Sequence, residues 1–124
     1  MKKPAKFRIR NKADKFLQDY IRIKHGDNPC WVCNKRPVIC GHHYIPKSNS
    51  SATRFYLPNI IPICKECHYL AHNQSHLVTP VIDFKLGQEW YEDLIIVKRQ
   101  IINFTKEWAT EQYEKMKELY QEVC

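Results

Sequence analysis

Apolar and polar residues near the start of the chain recur with the periodicity of an α-helix. Between Ala13 and Lys24, apolar residues return every three or four positions with basic residues between them, and Gly26 follows as a stop signal. This pattern predicts a short amphipathic helix. Residues 1–15 carry seven Lys or Arg against a single Asp, which predicts a flexible basic arm. A plain solubilising tail is the alternative.

The middle of the chain has a different texture, because proline, Asn and Ser break it into short pieces. Residues 38–44 are dense in β-forming side chains, and a second strand at residues 59–63 would complete a hairpin. Helical spacing returns at residues 65–73. We therefore predict a hairpin followed by a short helix.

The C-terminal third is the longest periodic segment. Thr79 and Pro80 predict the start of a short helix that Gly87 ends. Apolar residues three or four apart then continue to the C-terminus, which predicts a helix of about 30 residues, or about 45 Å. Its apolar face should pack partly on the helix at residues 13–24 and partly on another subunit. A folded-back helical pair is the alternative to a dimer.

These elements predict an α+β fold in one domain of 124 residues. Residues 1–28 form the basic arm and amphipathic helix, residues 29–78 form a central hairpin-and-helix core, and residues 79–124 form a helical extension for packing or dimerisation.

Charge is distributed unevenly along the chain. Residues 1–65 hold 14 of the 20 Lys and Arg but only 3 of the 13 Asp and Glu. Because basic side chains bind phosphates with release of counterions, the N-terminal half favours a polyanionic partner, with a membrane surface as the alternative. No apolar run reaches the roughly 20 residues of a membrane span, so we expect a cytoplasmic protein.

Six cysteines in a reducing compartment indicate metal rather than disulfides. Four of them form two Cys-x2-Cys pairs, Cys30 with Cys33 and Cys64 with Cys67. Each pair can supply one edge of a tetrahedron, so together they predict a structural Zn2+ site. We expect Cys40 to be a buried thiol that packs as a small apolar side chain.

Histidines near the second cysteine pair have spacing suited to a second metal. His68 and His72 lie at i and i+4 on one helix face, where both could bind a single divalent ion. His42 and His43 should point to opposite faces of a strand, so that one could act as a general base while the other faces a metal or the core. Asn59 could orient the base by fixing its tautomer.

Taken together, these motifs resemble the HNH, or ββα-metal, endonucleases. The resemblance spans residues 30–73 and is carried by Gly41-His42-His43-Tyr44-Ile45-Pro46, Asn59 and Cys64-x2-Cys67-His68-x3-His72. It implies a zinc-stabilised ββα-metal core that hydrolyses DNA. By position, His43 would be the general base, Asn59 its partner, and His42, His68 and His72 the ligands of a catalytic Mg2+, Mn2+ or similar ion. His76 could replace His72.

The sequence is also similar to the phage Rap/NinG recombination nucleases, which act on branched DNA; Arg54-Phe55 and the later Gly87 belong to that likeness. We expect four basic side chains near the core to contact DNA phosphates, namely Arg54, Lys47, Lys35 and Arg36. A recombination or replication protein is a further expected partner. The alternative function is a non-catalytic zinc module that binds nucleic acid.

Overall fold

The computed structural model describes residues 3–124. Five helices and a two-stranded antiparallel sheet give an α+β architecture, as the sequence predicts. In chain order, the elements are α1 (Ala5–His25), β1 (Cys40–His43), α2 (Ser51–Arg54), a 3-10 turn (Leu57–Asn59), β2 (Ile60–Ile63), α3 (Lys65–Asn73), a 3-10 turn (Ser75–Leu77), α4 (Thr79–Lys98) and α5 (Lys106–Val123).

Helix α1 begins eight residues before the predicted start. The prediction of a flexible arm at residues 1–15 is wrong from Ala5 onward, and its first two residues lie outside the described part of the chain. The basic residues of this segment are also good helix formers. In addition, Phe7 packs edge-on against Phe104, with ring centroids 5.0 Å apart, which gives the first turns of the helix a tertiary partner.

The predicted hairpin is present, with slightly shorter strands. In its register, His42 lies opposite Ile61 and His43 opposite Ile60. The outer edge of β1 is closed by a side chain of α1: the Gln18 amide donates to the Gly41 carbonyl over 2.9 Å and accepts from the Gly41 N–H over 2.7 Å. A Cβ atom on Gly41 would lie 2.4 Å from the Ile60 side chain, so only glycine allows this close approach.

Strand β2 separates two apolar clusters, because its successive side chains point to opposite faces. Ile60 joins the cluster formed with α1 and α5, where Leu17 and Met116 are buried. Ile61 and Ile63 join the cluster formed with the cysteine pairs, α3 and α4. The hairpin is therefore held between two helical layers, and this arrangement fixes the position of both histidines of β1.

The C-terminal region is not one long helix. Helix α4 is kinked at Gly87, whose φ of 90° suits glycine, and the chain leaves helical geometry between α4 and α5. Thr105 then caps α5 by accepting from the Trp108 N–H over 3.1 Å. Helix α5 folds back along α1, so the predicted contact with the N-terminal helix is present. No helix among residues 3–124 has both the length and the apolar character needed to cross a bilayer.

Candidate metal centres and active site

The two Cys-x2-Cys pairs converge at one point of the fold. The Sγ atoms of Cys30, Cys33, Cys64 and Cys67 all lie within 4.8 Å of one another. Cys30, Cys64 and Cys67 are buried, while Cys33 is half-buried. Four thiol groups in this arrangement are compatible with a structural Zn2+ site, which takes four sulfur ligands in a tetrahedron.

Local backbone geometry explains how each pair is shaped. In the first turn, Asn34 adopts a left-handed conformation with φ of 56° and donates its N–H to the Cys30 carbonyl over 2.9 Å. Asparagine tolerates this region better than most side chains. In the second turn, Cys64 caps α3, and its Sγ accepts from the Cys67 N–H over 3.4 Å. A bend and a helix start thus present the sulfurs.

Hydrogen bonds at the first turn favour a thiolate. Burial raises the pKa of the Cys33 thiol, but backbone hydrogen bonds from Arg36 and Lys35 outweigh it and lower that pKa to about 6. The Arg36 guanidinium lies 3.8 Å from Cys33 Sγ and 3.6 Å from a carboxylate oxygen of Glu66. The structure therefore places Arg36 and Lys35 beside the cysteine cluster, not in the histidine cavity described next. Their predicted phosphate contacts stay a prediction.

A second cluster is formed by His42, His68 and His72. One ring nitrogen from each lies within 4.8 Å of the others, and the Nε2 atoms of His68 and His72 are 3.0 Å apart. Nδ1 of His42 is buried and has no hydrogen-bond partner within residues 3–124. Three ring nitrogens this close together could hold a cation. His76 is exposed and does not belong to the cluster, so the structure selects His72 between the two.

The donor chemistry of this cluster fits some ions better than others. Imidazole nitrogen suits Zn2+ and neighbouring transition-metal ions, whereas Mg2+ prefers oxygen ligands. No carboxylate lines the surrounding cavity in the described part of the chain. Burial, followed by the effect of the neighbouring imidazoles, lowers the pKa of His42 to about 4, so that its ring is neutral and able to bind a metal near pH 7.

His43 points to the other side of β1, as strand alternation predicts. Its Nε2 lies 2.9 Å from the carbonyl oxygen of Arg54. Because a carbonyl can only accept, Nε2 carries the proton and Nδ1 carries the lone pair. Burial lowers the pKa of His43 to about 4, against an opposing effect of the Arg54 carbonyl. The ring is therefore neutral at physiological pH and has one basic nitrogen.

Among the described residues the Asn59 side chain forms no hydrogen bond with His43, and this corrects the predicted hydrogen bond. The Asn59 side chain is fully buried, and its Nδ2 donates to the carbonyls of Ile45 and Thr53, both over 3.1 Å. Its Oδ1 accepts from the Ile45 N–H over 2.8 Å. Asn59 thus ties Ile45, which follows β1, to Thr53 in α2. The next residue, Arg54, carries the carbonyl that accepts from His43.

Arg54 is 8% exposed, and its guanidinium forms a two-pronged pair with Asp14 of α1, with Nε 3.0 Å from Oδ1 and Nη2 2.5 Å from Oδ2. These two donors are used within the protein, although the residue also lines the cavity around the histidines. The sequence analysis did not predict this pair, whose carboxylate lies 40 positions earlier in the chain. The predicted contact of Arg54 with a phosphate stays a prediction.

Arg10 was missed by sequence reasoning because it lay within the predicted arm. It lines the same cavity as the histidines, and its guanidinium lies 4.4 Å from the Phe104 ring centroid and 5.2 Å from that of Phe7. Its Nε is buried without a hydrogen-bond partner in the described chain. Arg10 lies four residues before Asp14, and this helical spacing was the signal in the sequence that could have identified it. Lys47 is exposed and lines the cavity, and its predicted contact with a phosphate stays a prediction.

One open cavity of about 880 Å3 joins these groups. Its walls include the three-histidine cluster, the second histidine of β1 and two basic side chains: His42, His68, His72, His43, Arg10 and Lys47. The lining also includes neutral polar side chains such as Gln18, Ser48 and Thr79, but no carboxylate among the described residues. Comparison with protein-family models, curated proteins and solved structures found no match to this chain.

Proposed function

We propose that this protein is a metal-dependent DNA endonuclease of HNH type that hydrolyses phosphodiester bonds. The observation that carries the proposal is the adjacency of His42 and His43 on β1. One ring belongs to a three-imidazole cluster, while the next offers a neutral basic nitrogen, and both line the same cavity. Phosphodiester hydrolysis needs this combination of a cation site and a proton acceptor close together.

In this proposal His43 accepts the proton of the attacking water at Nδ1. Its Nε2–H remains on the Arg54 carbonyl, which holds the ring plane and supports the positive charge that forms on the imidazole. Asn59 keeps that carbonyl in place through its bond to the neighbouring Thr53 carbonyl. Asn59 is thus a positioning residue that acts through the loop.

His42, His68 and His72 would hold the catalytic divalent ion, which when bound supplies charge stabilisation for the phosphate and the leaving oxygen. Their donor set supports Zn2+ or a similar transition-metal ion more strongly than Mg2+, while Mn2+ is intermediate in its preferences. The four-cysteine cluster would hold a second, structural Zn2+ that shapes the start of α3. His68 and His72 both lie in α3, so the start of this helix sets their positions.

DNA is the proposed substrate because basic side chains border the cavity and dominate the N-terminal half. Arg10 is held against Phe104 and Phe7, so its guanidinium is positioned before a phosphate arrives, and Lys47 adds a mobile charge on the opposite loop. Neither side chain reads bases, so recognition should depend on the backbone and shape of the DNA. Branched DNA is the preferred form that the Rap/NinG likeness suggests.

Cleavage of supercoiled plasmid tests the proposal directly. The zinc-loaded protein is incubated with added Zn2+, Mn2+, Mg2+ or EDTA, and the ends of the product are analysed. We expect metal-dependent nicking that leaves 3′-hydroxyl and 5′-phosphate ends, as the family resemblance implies. Retained DNA binding with no cleavage under any ion would instead support a non-catalytic zinc module that binds nucleic acid.

A further inference from the structure

We propose that Cys40 is a positioning residue for the three-histidine cluster, because its sulfur accepts the Nδ1 proton of His68 and leaves Nε2 of that ring to bind the ion. The Cys40 Sγ and His68 Nδ1 atoms are 3.4 Å apart. This inference rests on the metal site of the proposed function, but it does not depend on nuclease activity.

The two nitrogens of His68 face different neighbours. Nε2 lies 3.0 Å from Nε2 of His72 and so points into the cluster, while Nδ1 points to Cys40. A neutral imidazole carries one proton, and only the unprotonated nitrogen can bind a cation. A partner that accepts from Nδ1 therefore selects the tautomer that binds through Nε2.

Cys40 itself is held in place by the hairpin. It lies opposite Ile63 in the β1–β2 register, and its Sγ is 4.0 Å from the Ile63 carbonyl, the direction in which the weak S–H donor can point. Cys64, which follows Ile63 in the chain, belongs to the four-cysteine cluster. Cys40 packs against that cluster without being part of it. One thiol thus lies between the two candidate metal centres.

Cobalt titration of the zinc-loaded protein tests this role. With one Zn2+ retained in the four-cysteine site, Co2+ added to the histidine cluster is followed by its visible absorption. We expect Cys40→Val, which fills the space but cannot accept a hydrogen bond, to weaken Co2+ binding about 10- to 100-fold. Cys40→Ser, whose hydroxyl can make both hydrogen bonds, should restore affinity close to that of the wild type.

The matched control is Cys124→Val, which makes the same change at the exposed terminal cysteine and should leave Co2+ affinity unchanged. Thermal unfolding identifies any variant that fails to fold, and Cys40→Ala then replaces Cys40→Val. Wild-type affinity in the Val or Ala variant would overturn the proposal, as would a serine variant as weak as valine. So would a sulfur-to-cobalt charge-transfer band lost on substitution of Cys40, since Cys40 would then be a ligand.

The same titration separates this inference from the proposed function. Wild-type protein that binds Co2+ at the histidine cluster but never nicks DNA would overturn the nuclease proposal and leave the comparison between Cys40 variants intact. Wild-type protein that binds no Co2+ beyond its zinc site would overturn the role of Cys40 together with the metal site.

Discussion

The carbonyl oxygen of Arg54 accepts a hydrogen bond from Nε2 of His43 over 2.9 Å, while the guanidinium of the same arginine is paired with Asp14. One residue therefore connects helix α1 to the proposed general base. The backbone orients the imidazole, and the side chain anchors that backbone to the helix. This relationship gives Arg54 a structural role next to His43.

Breaking the Arg54–Asp14 pair should cost substantial stability. Arg54→Ala leaves Asp14 with an uncompensated and largely covered charge, so we expect the free energy of unfolding to fall by about 3 kcal/mol. Urea denaturation measures the change. Arg22→Ala is the control, because Arg22 is more than half exposed and its partner Asp19 keeps a second ion pair with Lys15, so the cost should be less than about 1 kcal/mol. Equal effects of the two substitutions would contradict the structural role of Arg54.

Asn59 should affect both stability and cleavage although its side chain hydrogen-bonds Ile45 and Thr53 and not His43. Asn59→Ala leaves the buried polar groups of Ile45 and Thr53 without partners, which should lower the free energy of unfolding by about 2 to 4 kcal/mol. Asn73→Ala removes an exposed amide that bonds the Tyr69 carbonyl and serves as the control. The result expected at matched folded fractions is slower nicking for Asn59→Ala alone. An unchanged nicking rate would show that the position of His43 does not depend on the loop that Asn59 holds.

The tightly bound structural zinc should depend on the four clustered cysteines. Cys64→Ser removes one sulfur ligand and the cap of α3, so purified protein should lose its tightly bound zinc and part of its folded structure. Metal analysis and circular dichroism measure the two losses. Cys124→Ser should retain one zinc per chain. If Cys64→Ser keeps a full equivalent of zinc and the wild-type spectrum, the four cysteines do not form the structural site.

The three-histidine cluster predicts a second metal site that includes His72 but not His76. His72→Ala removes one of three nitrogens and should abolish the second equivalent of Co2+ binding, while DNA affinity remains because Arg10 and Lys47 are unchanged. His76 lies four positions later, outside the cluster, so His76→Ala should bind Co2+ as the wild type does. Isothermal titration calorimetry distinguishes the two variants. Loss of the second Co2+ in His76→Ala would contradict the assignment of His42, His68 and His72 as its ligands.

Short-range relationships made much of the site predictable from sequence. Cys64 with Cys67 and His68 with His72 are separated by three and four residues, so a helix start fixes their relative positions whatever surrounds them. The alternation of strand side chains similarly placed His42 and His43 on opposite faces. The short helix after the hairpin was predicted with the observed limits, because its local pattern and its packing agree.

Contacts between distant positions could not be predicted in the same way. The Arg54–Asp14 pair joins residues 40 positions apart, and the Gln18–Gly41 pair joins residues 23 apart. No local pattern encodes either. The break before α5 was also missed, since Ile101 and Ile102 continued the apolar spacing. Residues 101–105 are not helical, and Phe104 packs against Phe7 and Trp108.

The measurement closest to the central claim is the rate of plasmid nicking by wild type and His43→Ala under single-turnover conditions. Zinc content and circular dichroism establish that both are folded, and His25→Ala, whose ring lies against Trp31 away from the cavity, is the control. A general base contributes about 100- to 10,000-fold, so His43→Ala should lose at least about 100-fold while His25→Ala keeps its rate. Folded His43→Ala protein that cleaves as fast as the wild type would contradict the account.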